Sequence, residues 1–207
     1  MTQLSFAVLG AAPKTYVATP TIAFRLRVAS AQPIEALVLR AQLRIEPQWR
    51  EYTAQEKPLL NDLFGTPERW GTTLRALAWA DLPLTVTGFE GETTVELPVP
   101  CTYDFDLAAT RFLNALGTGD VPLRFLFSGA VFAAAPSGFM TERVPWSSEC
   151  AYRMPVQVWR DAMRACYGDD ALIRINVETL ARLQRYRALS GAASWDELFE
   201  RLTEAPV

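Results

Sequence analysis

The chain has 207 residues, 50% of them hydrophobic and 21% charged, the balance of a globular protein long enough to bury a substantial core. Its formal charge of −3 speaks against a phosphate-binding surface, so no nucleic-acid partner is expected. It contains no histidine, which removes Ser-His-Asp and Cys-His catalysis and histidine-ligated zinc.

Cys101, Cys150 and Cys166 are scattered and odd in number, the pattern of reduced thiols rather than of a disulfide framework. They are poor material for binding nickel, and no metal or other cofactor is expected. No apolar run reaches the roughly 18–20 residues of a membrane span, and MTQLSFAVLG lacks the basic segment and small-residue cleavage site of a secretory signal. These absences predict a cytoplasmic protein.

In chain order, residues 4–9 read as a strand. Ile22, Phe24, Leu26 and Val28 then alternate with Ala23, Arg25 and Arg27, a half-buried strand opened by Pro20. Residues 34–46 repeat the pattern, with Leu37, Leu39, Ala41, Leu43 and Ile45 inward and Arg40 and Arg44 outward. The short connection over 30–33 predicts that these two strands pair as an antiparallel hairpin. Pro47 ends the ladder. Thr53 and Glu56 have capping-box spacing for a helix over 53–64. Residues 70–79 fit either a loop or a strand. Residues 82–86 and 90–99 flank Gly88 as a second hairpin.

The stretch 97–132 is the clearest in the chain. Asp104 has the position of an N-cap, and Phe105, Ala108, Ala109, Phe112, Leu113 and Leu116 share one helical face. Gly117 reads as a left-handed stop, and Leu123, Phe125 and Phe127 as the buried side of a strand. Residues 133–146 read as a loop. Val156, Trp159, Met163 and Cys166 form the stripe of a helix that begins at Pro155. Asn176 caps another, ended by Ser190-Gly191, and Ser194 with Glu197 forms a second capping box. The predicted fold class is α+β: an antiparallel β-sheet or sandwich with an inserted helix over about 104–116 and a helical C-terminal segment. The expected organisation is a β-rich core over 1–150, with helices over 151–207 packed on the same domain.

Candidate chemistry is sparse. Asp104 and Asp106 lie near each other, but at i and i+2 they point apart and suit capping. Cys101 precedes the same helix but follows an apolar strand, a packing position. No catalytic residue is expected. Six tryptophans are many for this length. Trp159 and Trp195 fit helix cores, whereas Trp49, Trp70 and Trp146, with Phe139, fall in expected loops. Those four are the candidate partner-binding residues, since loop tryptophans serve either as interface anchors or as lids on a core.

Several phrases carry a resemblance: PTIAFRLRV (20–28), LRAQLRIEP (39–47), LLNDLFG (59–65), RWGTTL (69–74), LPVPCTYDFDLAATRFLNAL (97–116), VPLRFLFSGAVF (121–132), VPW (144–146) and SWDELFERL (194–202). Together they resemble an uncharacterised bacterial family whose genes sit beside actinobacterial-type nickel–iron hydrogenase genes. That resemblance implies a part in assembly or maturation, or an accessory subunit, and carries no catalytic residues. Cys101, Phe105, Ala108 or Ala109, Leu116, Gly119, Val121-Pro122 and Leu123 are also similar to the helix-to-strand segment of the export chaperone B family. Thr102 stands where that family has proline.

The function expected is that of a non-enzymatic, chaperone-like accessory protein holding a protein partner, a hydrogenase subunit or maturation factor. An apolar groove between sheet and helices, rimmed by Phe139 and Trp146, is the expected seat of that partner. The alternatives are a small-molecule or cofactor-binding module, including an enzyme built on carboxylates and Tyr103, and a structural oligomer subunit.

Overall fold

The computed structural model describes residues 3–102, 107–135 and 138–204, with backbone alone at 135 and 139. Two compact units divide between Ala171 and Leu172. The boundary drawn from the sequence at 150/151 falls within a strand of the first unit.

The first unit is an antiparallel β-sandwich with helices, confirming the α+β class. One sheet has the order β1 (Leu4–Pro13), β2 (Thr21–Ser30), β5 (Glu92–Pro100). The other contains β4 (Leu77–Phe89), β3 (Ile34–Ile45) and β6 (Asp120–Ala135). The far edge of β6 is shared end to end by β8 (Glu149–Pro155) and β7 (Gly138–Arg143).

Alternation places the inward residues as expected: Ile22, Phe24, Leu26 and Val28 are buried from one sheet, and Leu37, Leu39, Ala41, Leu43 and Ile45 from the other. Phe6 stacks on Phe127, and Phe24 meets Phe125 edge-on at 5.1 Å, so the inner faces interdigitate.

Both expected hairpins are corrected. β2 pairs with β1 and β5, while β3 pairs with β4 and β6, so the 30–33 connection crosses between sheets. The 90–91 turn crosses back from β4 to β5 in the same way. Two strands with one apolar face each are satisfied either side by side or face to face, and the period of two cannot tell these apart. The turn chemistry suits crossing: Ser30 Oγ accepts from the Gln32 N–H and donates to its carbonyl, closing the bend locally.

The helix over 53–64 is two turns, α1 (Glu56–Leu59) and α2 (Asn61–Phe64), parted at Leu60, whose N–H donates to Lys57 O in the tighter 3-10 manner. A 3-10 turn over Pro67–Arg69 leads into α3 (Trp70–Thr73). The inserted helix, α4, runs Ala108–Ala115 in the described residues and buries Ala109, Phe112 and Leu113. The expected roles of Tyr103, Asp104, Phe105 and Asp106 lie outside the described residues. Gly117 is not a left-handed stop. Leu116 turns extended at φ −84°, and the positive φ belongs to Gly119.

Residues 138–143, expected as part of a loop, are β7, and residues 149–155, before and at the expected start of the helix, are β8. Where β6 passes from β8 to β7, Gly129 adopts φ +140° and lies so close to β3 that a Cβ would overlap Val38 O. Gly129→Ala therefore combines backbone strain with a clash, and an unfolding free energy lower by about 1–3 kcal/mol is expected in urea titration. α5 (Val156–Tyr167) follows β8 and buries Val156, Trp159 and Met163, the stripe read from the sequence.

The second unit holds α6 (Val177–Ser190) and α7 (Trp195–Glu204). Asn176 Oδ1 accepts from the Glu178 N–H, Gly191 is left-handed at φ +68°, and Ser194 with Glu197 forms the expected capping box. Among the described residues no helix is long and apolar enough to cross a membrane.

Candidate functional site

The four candidate aromatics are not brought together. Trp70 is a correction: only 9% exposed, it packs edge-on against Tyr52 at 5.0 Å and donates through Nε1 to Gly65 O at 2.8 Å. A side chain held so is a lid on the core. The Phe139 side chain lies outside the described residues. Trp146 is 95% exposed in the β7–β8 connection. Trp49 is 59% exposed at the end of a 3-10 turn over Pro47–Trp49.

Trp49 is the one with a built surround. It borders a hollow of about 270 Å³ with Glu46, Pro122, Leu123, Arg124, Tyr152 and Arg153. A second hollow of about 520 Å³ lies beside it, lined by Gln48, Trp49, Arg50, Glu51, Gly119, Asp120 and Arg153. Trp146 lines neither.

The chain organises this surface from the break at Pro47. Without an N–H, Pro47 leaves β3 and turns the chain over the start of β6, where Glu46 N–H still donates to Pro122 O at 2.9 Å. Arg153 Nη2 donates to Trp49 O at 3.1 Å, fixing the turn to β8. Arg124 bridges Glu46 at 2.8 Å and Glu149 at 2.7 Å, so the two carboxylates beside the hollow are both engaged by one guanidinium. The Tyr152 ring packs edge-on to Phe24, and burial raises the pKa of its phenol against a hydrogen bond with the Ala11 backbone.

Beneath the hollows lies the Arg50–Glu56 pair. Glu56 is 2% exposed and takes two bonds from Arg50 Nη2, at 3.0 and 3.1 Å. It also closes the capping box with Thr53 and accepts from the Gly117 N–H at 2.7 Å. Burial pushes its carboxyl up, but the Thr53 and Gly117 N–H groups, the Arg50 guanidinium and the Thr118 backbone outweigh that and hold it below the ordinary carboxylate range. Arg50 in turn donates to the carbonyls of Glu51, Thr118 and Asp120. This pair joins the 47–56 segment to the turn after α4, and it positions Trp49.

Sequence reasoning missed Arg153, Tyr152, Arg124 and the long-range role of Glu56. The capping-box spacing marked Glu56 as a local residue, and nothing in the spacing reaches Gly117, 61 residues away. It also missed Tyr16, fully exposed in the β1–β2 turn at φ +57°.

Two of the three thiols offer little nucleophilicity: burial pushes Cys101 up to about 12 and Cys150 up to about 11, protonated at neutral pH. Among the described residues no three Cys, Asp or Glu side chains are grouped to hold a metal ion. Phe112, Leu113, Trp159 and Met163 are buried where the helices of the first unit meet the sheets, and a further hollow of about 340 Å³ lies by α5, lined by Asn114, Trp159, Arg160, Met163 and Asp169; of the candidate aromatics only Trp49 borders one of these hollows.

A family model described as "Family of unknown function (DUF6084)" matches residues 1–206. No curated protein matches the sequence. Among solved structures, a candidate late embryogenesis abundant (LEA) protein aligns at 12% identity over 75% of this chain and 72% of its own, with a TM-score of 0.35. Beta-glucosidase from Kluyveromyces marxianus aligns at 9% identity over 74% of this chain, with a TM-score of 0.26. Beta-glucosidase 3B from Thermotoga neapolitana aligns at 11% identity over 73%, with a TM-score of 0.26. The aligned part spans only 15% and 17% of those two enzymes. None of these scores amounts to a shared fold.

Proposed function

Because the chain belongs to the DUF6084 family, whose function is unknown, we propose its role from its surface: it is a cytoplasmic accessory protein that docks a protein partner at Trp49. The observation that carries this reading is the exposure of Trp49 on a turn held from behind by Arg153 and the Arg50–Glu56 pair. A rigidly presented tryptophan beside a concave surface is the usual form of an interface anchor. The polar groups around it support the same reading. Glu46 and Glu149 are engaged by Arg124, and they form a satisfied rim rather than a poised acid and base.

The partner class follows from the resemblance drawn on the sequence: a nickel–iron hydrogenase subunit or a maturation factor for one. The test is purification of the tagged chain from its own host, with mass spectrometry of what comes with it. Recovery of a hydrogenase component is the expected result, and its absence counts against the partner. Trp49→Ala is expected to leave stability within about 0.5 kcal/mol, since the side chain is largely exposed, while the co-purified component is lost.

The second hollow favours one alternative. At about 520 Å³ it has the volume of a small-molecule pocket. A preparation that carries a bound small molecule in native mass spectrometry, released by Trp49→Ala and without a protein partner, would replace the docking reading with a ligand-binding one.

A further inference from the structure

In the second unit, α6 has no buried residue at all. Val177 is 80% and Leu189 88% exposed, and Tyr186 is half exposed. On the helix, Thr179, Leu180, Leu183, Arg187 and Ser190 are the less exposed positions, at spacings of one, three, four and three residues. They mark the side turned to α7, where Arg187 lies over the Trp195 ring at 4.9 Å. The opposite face carries Val177, Glu178, Ala181, Arg185 and Ala188, with Arg182 and Leu189 beside it, and all of these are exposed.

A unit of 36 residues, Leu172–Val207, is too small to hold a stable core unaided. Helices of this length draw most of their stability from tertiary packing, and α7 covers only one side of α6.

Charge says what the cover is. α6 carries Arg182, Arg185 and Arg187 against a single Glu178. α7 carries Asp196, Glu197, Glu200 and Glu204 against a single Arg201, which is bonded to Glu197. Asp196, Glu200 and Glu204 repeat every fourth residue, and all three are exposed and outside any ion pair among the described residues. Like charges at that spacing repel along a helix unless cations face them. The chain itself supplies those cations on Arg182 and Arg185, but on the other helix.

We propose that the second unit is a dimerisation element: two copies of this chain pack their helical hairpins about a two-fold axis, the bare face of α6 in one against the acidic stripe of α7 in the other. Such an interface is self-complementary, as a two-fold contact requires, and it covers Val177 and Leu189 twice over.

The test is the mass in solution of the full chain by light scattering at high micromolar concentration and low salt. A dimer is expected for the natural sequence. Arg182→Glu with Arg185→Glu places like charges across the contact and is expected to weaken association by roughly 100-fold. Adding Glu200→Arg and Glu204→Arg to that variant restores it. All four positions are exposed, so far-ultraviolet circular dichroism of the first unit's strands checks that the fold is kept. Leu189→Glu, which alters no existing charge pair, is expected to dissociate the dimer as well. A natural chain that is monomeric overturns the proposal, whatever else it binds. So does a dimer indifferent to the reversals, or one that the four-fold variant does not restore.

Discussion

Glu56→Ala is expected to lower the unfolding free energy by about 3–5 kcal/mol, because it strands the buried Arg50 guanidinium without its partner. The same change opens the capping box and leaves the Gly117 N–H without its acceptor, so three segments loosen together. Arg50→Ala is expected to cost a similar amount for the converse reason. Replacing both by apolar residues of similar volume should cost less than either single change, as removing a whole buried pair does. Denaturant titration of the three variants measures this.

The pair also sets an acid limit. The Glu56 carboxyl is held below its ordinary value in the folded chain, so its stabilisation is complete above the unfolded pKa of about 4.3 and is lost as pH falls through the folded value. The stability difference between the natural chain and Glu56→Gln should therefore be flat from pH 7 to about 5 and shrink below about 4.3. A difference that grows on acidification would show that the carboxyl is held high instead.

Phe24→Ala has the second largest expected effect, about 3–5 kcal/mol. Phe24 is fully buried in β2 and meets Phe125 at 5.1 Å, Trp79 at 6.1 Å and Tyr152 at 6.1 Å, all from the opposite sheet. Its removal opens a cavity between the sheets that neither backbone can close, because each sheet is held by its own ladder. The loss of apolar packing at Tyr152 also reaches the floor of the Trp49 hollow. A variant within about 1 kcal/mol of the natural chain would mean that the sheets do not pack face to face as described.

What could be read from the chain follows from what local pattern can encode. The inward faces of β2, β3 and β6, the α5 stripe over Val156, Trp159 and Met163, and both capping boxes depend on residues within a few positions of each other. Which strands pair is not such a property. Ile22 to Val28 and Leu37 to Ile45 satisfy the same alternation whether adjacent in one sheet or facing across two, and the short connection at 30–33 tilted the reading toward a hairpin. β7 and β8 escaped notice because each is short and β7 shows no alternation around Gly138 and Phe139.

The candidate site was legible only as a tryptophan in a loop. Its walls come from Glu46, Pro122 and Arg153, spread over more than a hundred positions and joined only by the register of β6 with β3 and β8. Trp70 carried the same kind of local signal as Trp49, a tryptophan near Pro or Gly in an expected loop: Pro47 for Trp49, Gly71 for Trp70. The Gly65 carbonyl and the Tyr52 ring that bury it are contacts that local composition does not display.

The most direct test of docking at Trp49 is the affinity of whichever protein co-purifies with the tagged chain for the natural chain and for Trp49→Ala, measured side by side by calorimetry. An anchor tryptophan contributes about 2 kcal/mol or more, so Kd should rise at least about 30-fold while the melting temperature is unchanged. Equal affinity for the two chains, at equal stability, would contradict the account and remove Trp49 from the interface.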